Sequence, residues 1–105
     1  MSSETIISFY ESLGFEETEI DDGLIVLGIE LTPAGNYALI TDDEGTMPRN
    51  LNQGIIFAYY TPEDSYLWSA SFKSATAFKE LWTGAPTNEA RLDAIVKHRE
   101  ANETF

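Results

Sequence analysis

Apolar residues recur at Ile6, Phe9, Tyr10 and Leu13, a three- and four-residue spacing that puts them on one face of a helix over residues 3–13. Ser2 or Ser3 can cap its start, Glu4 suits the first turn, and Gly14 supplies a stop. The period then shortens to two. Residues 15–20 read as a first strand, and Asp22-Gly23 as a hairpin turn, since a type I′ turn needs positive φ at both central positions. Residues 24–31, Leu-Ile-Val-Leu-Gly-Ile-Glu-Leu, form a second strand. Its near-continuous apolar run predicts a central position, covered at least in part on both faces. A turn at residues 32–36 leads to a third strand, Tyr37 to Thr41, ended by Asp42-Asp43-Glu44-Gly45. Residues 45–53, poor in apolar side chains, read as the longest loop; a fourth strand runs from Ile55 to Tyr60. Thr61-Pro62-Glu63-Asp64 is a turn with proline at a favoured position, and Tyr66 to Ala70 is a fifth strand.

From Ser74 the helical period returns. Ala75, Phe78, Leu81 and Trp82 share a face and Gly84 closes that helix. Thr87 then caps a last helix whose inner stripe is Leu92, Ile95, Val96 and Arg99. The order is α-β-β-β-β-β-α-α. Short connections make each neighbouring strand pair antiparallel. The expectation is a single α+β domain over residues 1–105: a five-stranded antiparallel meander with the helices packed on one face. In an up-and-down meander the Asp21-Asp22 and Asp42-Asp43-Glu44 turns fall at one end of the sheet, and Glu63-Asp64 at the other.

Composition narrows the function classes. The chain has no cysteine, which rules out a disulfide framework, a thiol nucleophile and thiolate metal ligation and suits a reducing cytoplasm. No apolar run approaches the roughly 20 residues of a membrane helix, and Met1-Ser2-Ser3-Glu4 lacks the basic start of a signal peptide. The net charge is −12 and is uneven: residues 1–64 hold 13 acids and the single base Arg49, whereas residues 65–105 hold 5 of each. Such a chain repels nucleic-acid phosphate and anionic lipid, so direct binding to either is not expected.

Candidate catalytic chemistry is sparse. His98 is the only histidine, so no two-histidine metal site forms within one chain; near the end of the last helix it reads as a surface residue. The consecutive acids Asp42-Asp43-Glu44 lack the alternate spacing of a calcium loop. Set among other acids at turns, they and Asp21-Asp22 read as solvated rather than catalytic. No glycine-rich phosphate loop occurs, and no cofactor is expected. The phrase Phe9-Tyr10-Glu11-Ser12-Leu13-Gly14-Phe15-Glu16 resembles the first helix and following strand of the glyoxalase–bleomycin-resistance superfamily, and a similar phrase closes many N-acyltransferases that use acetyl-CoA. It covers 8 of the 105 residues. The first family's module has a strand before that helix, and the second has a pyrophosphate loop; this chain shows neither. The resemblance to the first implies a small-ligand pocket on the sheet face, within one copy or shared between two.

The rings speak to a surface. Tyr59, Tyr60, Tyr66 and Trp68 cluster on the fourth and fifth strands. Alternation sends Tyr59 and Tyr60 to opposite faces and gives Tyr66 and Trp68 one face. One helix layer cannot bury all of them, so the far face should carry rings exposed or covered by a partner. The leading expectation is a non-catalytic interaction module of inhibitor or immunity type. It would bind a basic protein, or a second copy of itself, through Asp21, Asp22, Asp42, Asp43, Glu44, Tyr59, Tyr60, Tyr66 and Trp68. A small-ligand domain is the alternative, and a carboxylate hydrolase or lyase the third reading.

Overall fold

Eight elements follow one another as expected: α1 (Ser3–Glu11), β1 (Glu16–Glu19), β2 (Ile25–Glu30), β3 (Tyr37–Thr41), β4 (Ile55–Tyr60), β5 (Tyr66–Phe72), α2 (Ala75–Thr83) and α3 (Asn88–Glu103). The computed structural model describes residues 3–20, 23–42, 44–48 and 51–103. The strands form one antiparallel sheet in the order β1-β2-β3-β4-β5. This is the expected α+β meander.

The helix ends follow from local chemistry. α1 stops two residues earlier than its periodicity suggested, because Leu13 N–H turns back three residues to the Tyr10 carbonyl. Gly14 then takes φ 101°, where a side chain would be strained, and Phe15 N–H also donates to Tyr10 O at 3.0 Å. Ser74 accepts from Ala77 N–H to cap α2, and Thr87 Oγ1 accepts from Ala90 N–H at 3.1 Å to cap α3.

Register divides the sheet into two faces. Leu27, Ile40, Phe57 and Ala70 stand side by side in a row across β2 to β5, flanked by Ala38, Tyr59, Ile55 and Phe72. Onto this face pack Ile6 and Tyr10 of α1, Leu13 of the turn that follows it, Phe78 and Trp82 of α2, and Ile95 of α3. Phe9 is only half-buried at the rim of that face, with the Lys79 ammonium 5.6 Å from its ring centre. Trp82 ties the helices together: its Nε1 donates to Leu13 O at 2.9 Å, and the Arg91 guanidinium lies 4.6 Å from its ring. The long loop is less polar in effect than in composition, since Met47 and Leu51 pack against the core and Pro48 is fully buried.

α3 runs beside the edge strand β5. Arg99 Nε donates to Ser69 O at 2.8 Å, His98 Nε2 lies 2.8 Å from Ser71 O, and the His98 ring stacks parallel on Phe72 at 4.3 Å. His98 is therefore half-buried and structural rather than a surface residue. The opposite edge, β1, is a strand of 4 residues of which 3 are glutamate. Short length and charge both discourage pairing with a foreign strand.

Candidate functional site

The strand ends that carry the two acidic turns lie where the meander predicts, and the chemistry found at Asp42 differs from expectation. The β1–β2 connection and the end of β3 emerge at one end of the meander, while the 61–65 turn lies at the other, beside residues 32–36. Asp21, Asp22 and Asp43 lie outside the described residues. Asp42 is not solvated: it is 3% exposed, its Oδ1 accepts from the backbone N–H of Glu44 and Thr46, each at 2.9 Å, and its Oδ2 accepts from the Thr46 hydroxyl at 2.6 Å. Those bonds shape the turn. Glu44 alone of this group stands exposed among the described residues.

The rings sort by face. Tyr59 and Tyr60 point to opposite sides, as alternation requires. Tyr66 and Trp68 do not share a face, because a register shift at Tyr59/Tyr60 sets Trp68 opposite Tyr59 and Tyr66 opposite Tyr60. An inserted residue reverses the alternation, and Leu67, 45% exposed, is the residue without an opposite number. Tyr59 and Trp68 thus pack on the helix-covered side, Trp68 lying 5.9 Å from Phe57 and 5.2 Å from Tyr59.

The open face gathers a different set. Tyr37, opposite Tyr60 in the ladder, stacks on it at 5.3 Å with 12° between the planes, and Tyr66 meets Tyr60 edge-on at 6.0 Å. Tyr37 Oη donates to Asp64 Oδ1 at 2.6 Å; Tyr66, 59% exposed, shares a hydrogen bond with the Ser69 hydroxyl. Next to this aromatic row, across β1 to β3, lies a groove of about 220 Å³ lined by Glu16, Thr18, Gly28, Glu30, Gly35 and Tyr37. At its floor the Thr18 and Leu39 side chains pack directly onto Gly28: a Cβ there would fall 2.5 Å from Thr18 Oγ1 and 3.2 Å from Leu39 Cδ2. Glu16 sits opposite Gly28, and Glu30 sits opposite Tyr37. Both glutamates are exposed, and neither has an ion-pair partner among the described residues.

No family model, curated protein or solved structure matches this chain. The resemblance carried by residues 9–16 is confined to the corner where α1 turns into β1.

Among the described residues no three histidine or acidic side chains come together as a metal-ligand set. The sequence reading named Tyr60 and Tyr66 but missed Tyr37, Glu16, Thr18 and Glu30. The missing signal was register. Tyr37 and Tyr60 lie 23 positions apart across the long loop, and only the ladder shows that they are opposite one another.

Proposed function

We propose that this domain is a non-catalytic interaction module of inhibitor type, which docks a basic segment of a partner protein on the open face of its sheet. The observation that carries this reading is the row Tyr37-Tyr60-Tyr66, an aromatic strip turned away from the core and bordered by Glu16, Glu30 and Asp64. Tyrosine is favoured where one end of a ring is dry and the other wet, and such rings dominate binding at interfaces. The surrounding charge selects the partner's sign, since the first 64 residues carry the whole net charge of −12. The same charge argues against the second copy as the occupant, because two such faces repel. The groove's volume of about 220 Å³ falls short of the roughly 300–1,000 Å³ of small-molecule pockets, which disfavours the ligand-binding alternative.

The test is fluorescence anisotropy with labelled peptides of equal length, basic, neutral and acidic, at two salt concentrations. Basic peptides should bind selectively, more weakly at high salt, and Tyr60→Ala should weaken them. Equal binding of all three peptides, or binding unaffected by salt, overturns the reading.

A further inference from the structure

We propose that the groove between β1 and β3 receives one arginine side chain of the docked partner. The inference rests on the reading of the open face as a surface for a basic segment, and it names what that segment must present.

Three features of the groove converge on a guanidinium. Glu16 and Glu30 stand diagonally across the β1–β2 pair, one opposite Gly28 and the other two residues further along the same face. Diagonal neighbours of this kind lie about 7–8 Å apart, their Cβ atoms somewhat closer, a separation that two carboxylates can bridge from either side of a planar cation. The wall on β3 is Tyr37. Tyr60 stacks on the β4 side of that ring, and the groove lies on its β2 side. A flat cation laid against a tyrosine ring gains from its negative face, and guanidinium stacks where ammonium cannot. The floor is β2 at Gly28, where the Thr18 and Leu39 side chains lie so close over the backbone that a Cβ would fall 2.5 Å from Thr18 Oγ1. Arginine presents five N–H donors in a rigid fork, enough to serve both carboxylates at once; lysine presents a point charge that meets one well and the other poorly. The volume suits a side chain rather than a whole ligand. The charge excludes an acidic occupant.

The closing experiment has two arms. In the first, backbone amide NMR spectra are recorded while N-acetyl-arginine-methylamide is titrated in, with the lysine analogue as control. Saturable shifts at Glu16, Thr18, Gly28, Glu30 and Tyr37 are expected with arginine, and weaker ones with lysine. In the second, peptides that differ only in carrying arginine or lysine are compared on the wild type and on Glu16→Gln, Glu30→Gln and Tyr60→Ala. Arginine peptides should bind more tightly, and each glutamine variant should lose on the order of fivefold in affinity for them. Both glutamates are exposed, so these variants leave the fold intact. If lysine peptides bind as well as arginine peptides and the glutamine variants bind like wild type, the groove proposal falls. The docking face still stands in that case if Tyr60→Ala weakens binding. If the free arginine analogue shifts the groove amides but no basic peptide binds selectively, the groove stands and the docking face falls. Silence in both arms overturns both.

Discussion

The two faces of the sheet use the same side chain in opposite ways. On the covered face Tyr10 is fully buried between Phe15 and Phe78, and its hydroxyl has no hydrogen-bond partner among the described residues. On the open face Tyr37 is half-exposed and its hydroxyl is held by Asp64. The covered face therefore treats tyrosine as a ring that happens to carry an oxygen, at a cost in desolvation. The open face keeps both ends in use, the ring in a stack and the oxygen in a hydrogen bond. A surface assembled this way is ready for water or for a partner, whereas the first is committed to the fold.

The largest effect should come from the covered face. Trp82 is fully buried, ties α2 to the turn after α1 through Leu13 O, and carries the Arg91 guanidinium on its ring. Trp82→Ala should lower unfolding free energy by about 3–5 kcal/mol, measured by chemical denaturation. Tyr60→Ala on the open face should cost far less. Comparable losses from the two would show that the open face is as much a core as the covered one.

Tyr10→Phe should go the other way. It removes a buried, unpaired hydroxyl and keeps the ring, so stability should rise by about 1 kcal/mol. It also tests pH dependence. Burial pushes the Tyr10 phenol well above its ordinary range. The neutral form is thus favoured in the fold, so stability from this group is whole below the ordinary tyrosine pKa of about 10 and is lost as pH rises above it. Denaturation followed from pH 8 to 11 should fall less steeply in Tyr10→Phe than in wild type.

Most of the covered face was legible in the sequence because periodicity reports burial directly. Ile6, Tyr10 and Leu13, then Phe78 and Trp82, repeat at helical spacing, and each one lies in the core. Pro62 marked its connection for a similar reason, since turn chemistry is local. The open face was much less legible. Its groove joins Glu16, Gly28 and Tyr37, from three strands, and their adjacency depends on registers that no local pattern encodes. The inserted residue in β5 is equally silent: Tyr66-Leu67-Trp68 reads as ordinary alternation, yet Tyr66 and Trp68 part to opposite faces. Asp42 misled in a third way. Its place in an acidic run suggests hydration, but its hydrogen bonds to Glu44 and Thr46 are what let the chain turn.

A smaller effect separates the sheet's edges. The β5 edge is closed by side chains of α3, and Arg99 Nε satisfies the Ser69 carbonyl from a partly buried position. Arg99→Met keeps much of the aliphatic stem and removes that donor, so it should cost about 1 kcal/mol. Amide exchange in β5 and α3 should quicken while β1 and β2 keep their wild-type rates. Uniform quickening would mean that the helix stabilises the whole sheet rather than its edge.

The smallest expected change is the open-face counterpart of Tyr10→Phe. Tyr37→Phe deletes one oxygen and leaves the ring stacked on Tyr60. The lost bond to Asp64 is exposed, so water replaces much of it, and the cost should be about 0.5–1 kcal/mol. The sign matters more than the size. The same deletion is expected to stabilise at Tyr10 and to destabilise at Tyr37, because in the first position the hydroxyl has lost water without gaining a partner and in the second it has gained one. Asp64 also holds a positive φ of 67°, unusual for a residue with a side chain. Freed from Tyr37, the 61–65 turn should gain mobility, visible as faster amide exchange at Ser65. Parallel denaturation of the two phenylalanine variants decides the matter: equal signs would erase the difference between the faces, and opposite signs would establish it at the level of a single atom.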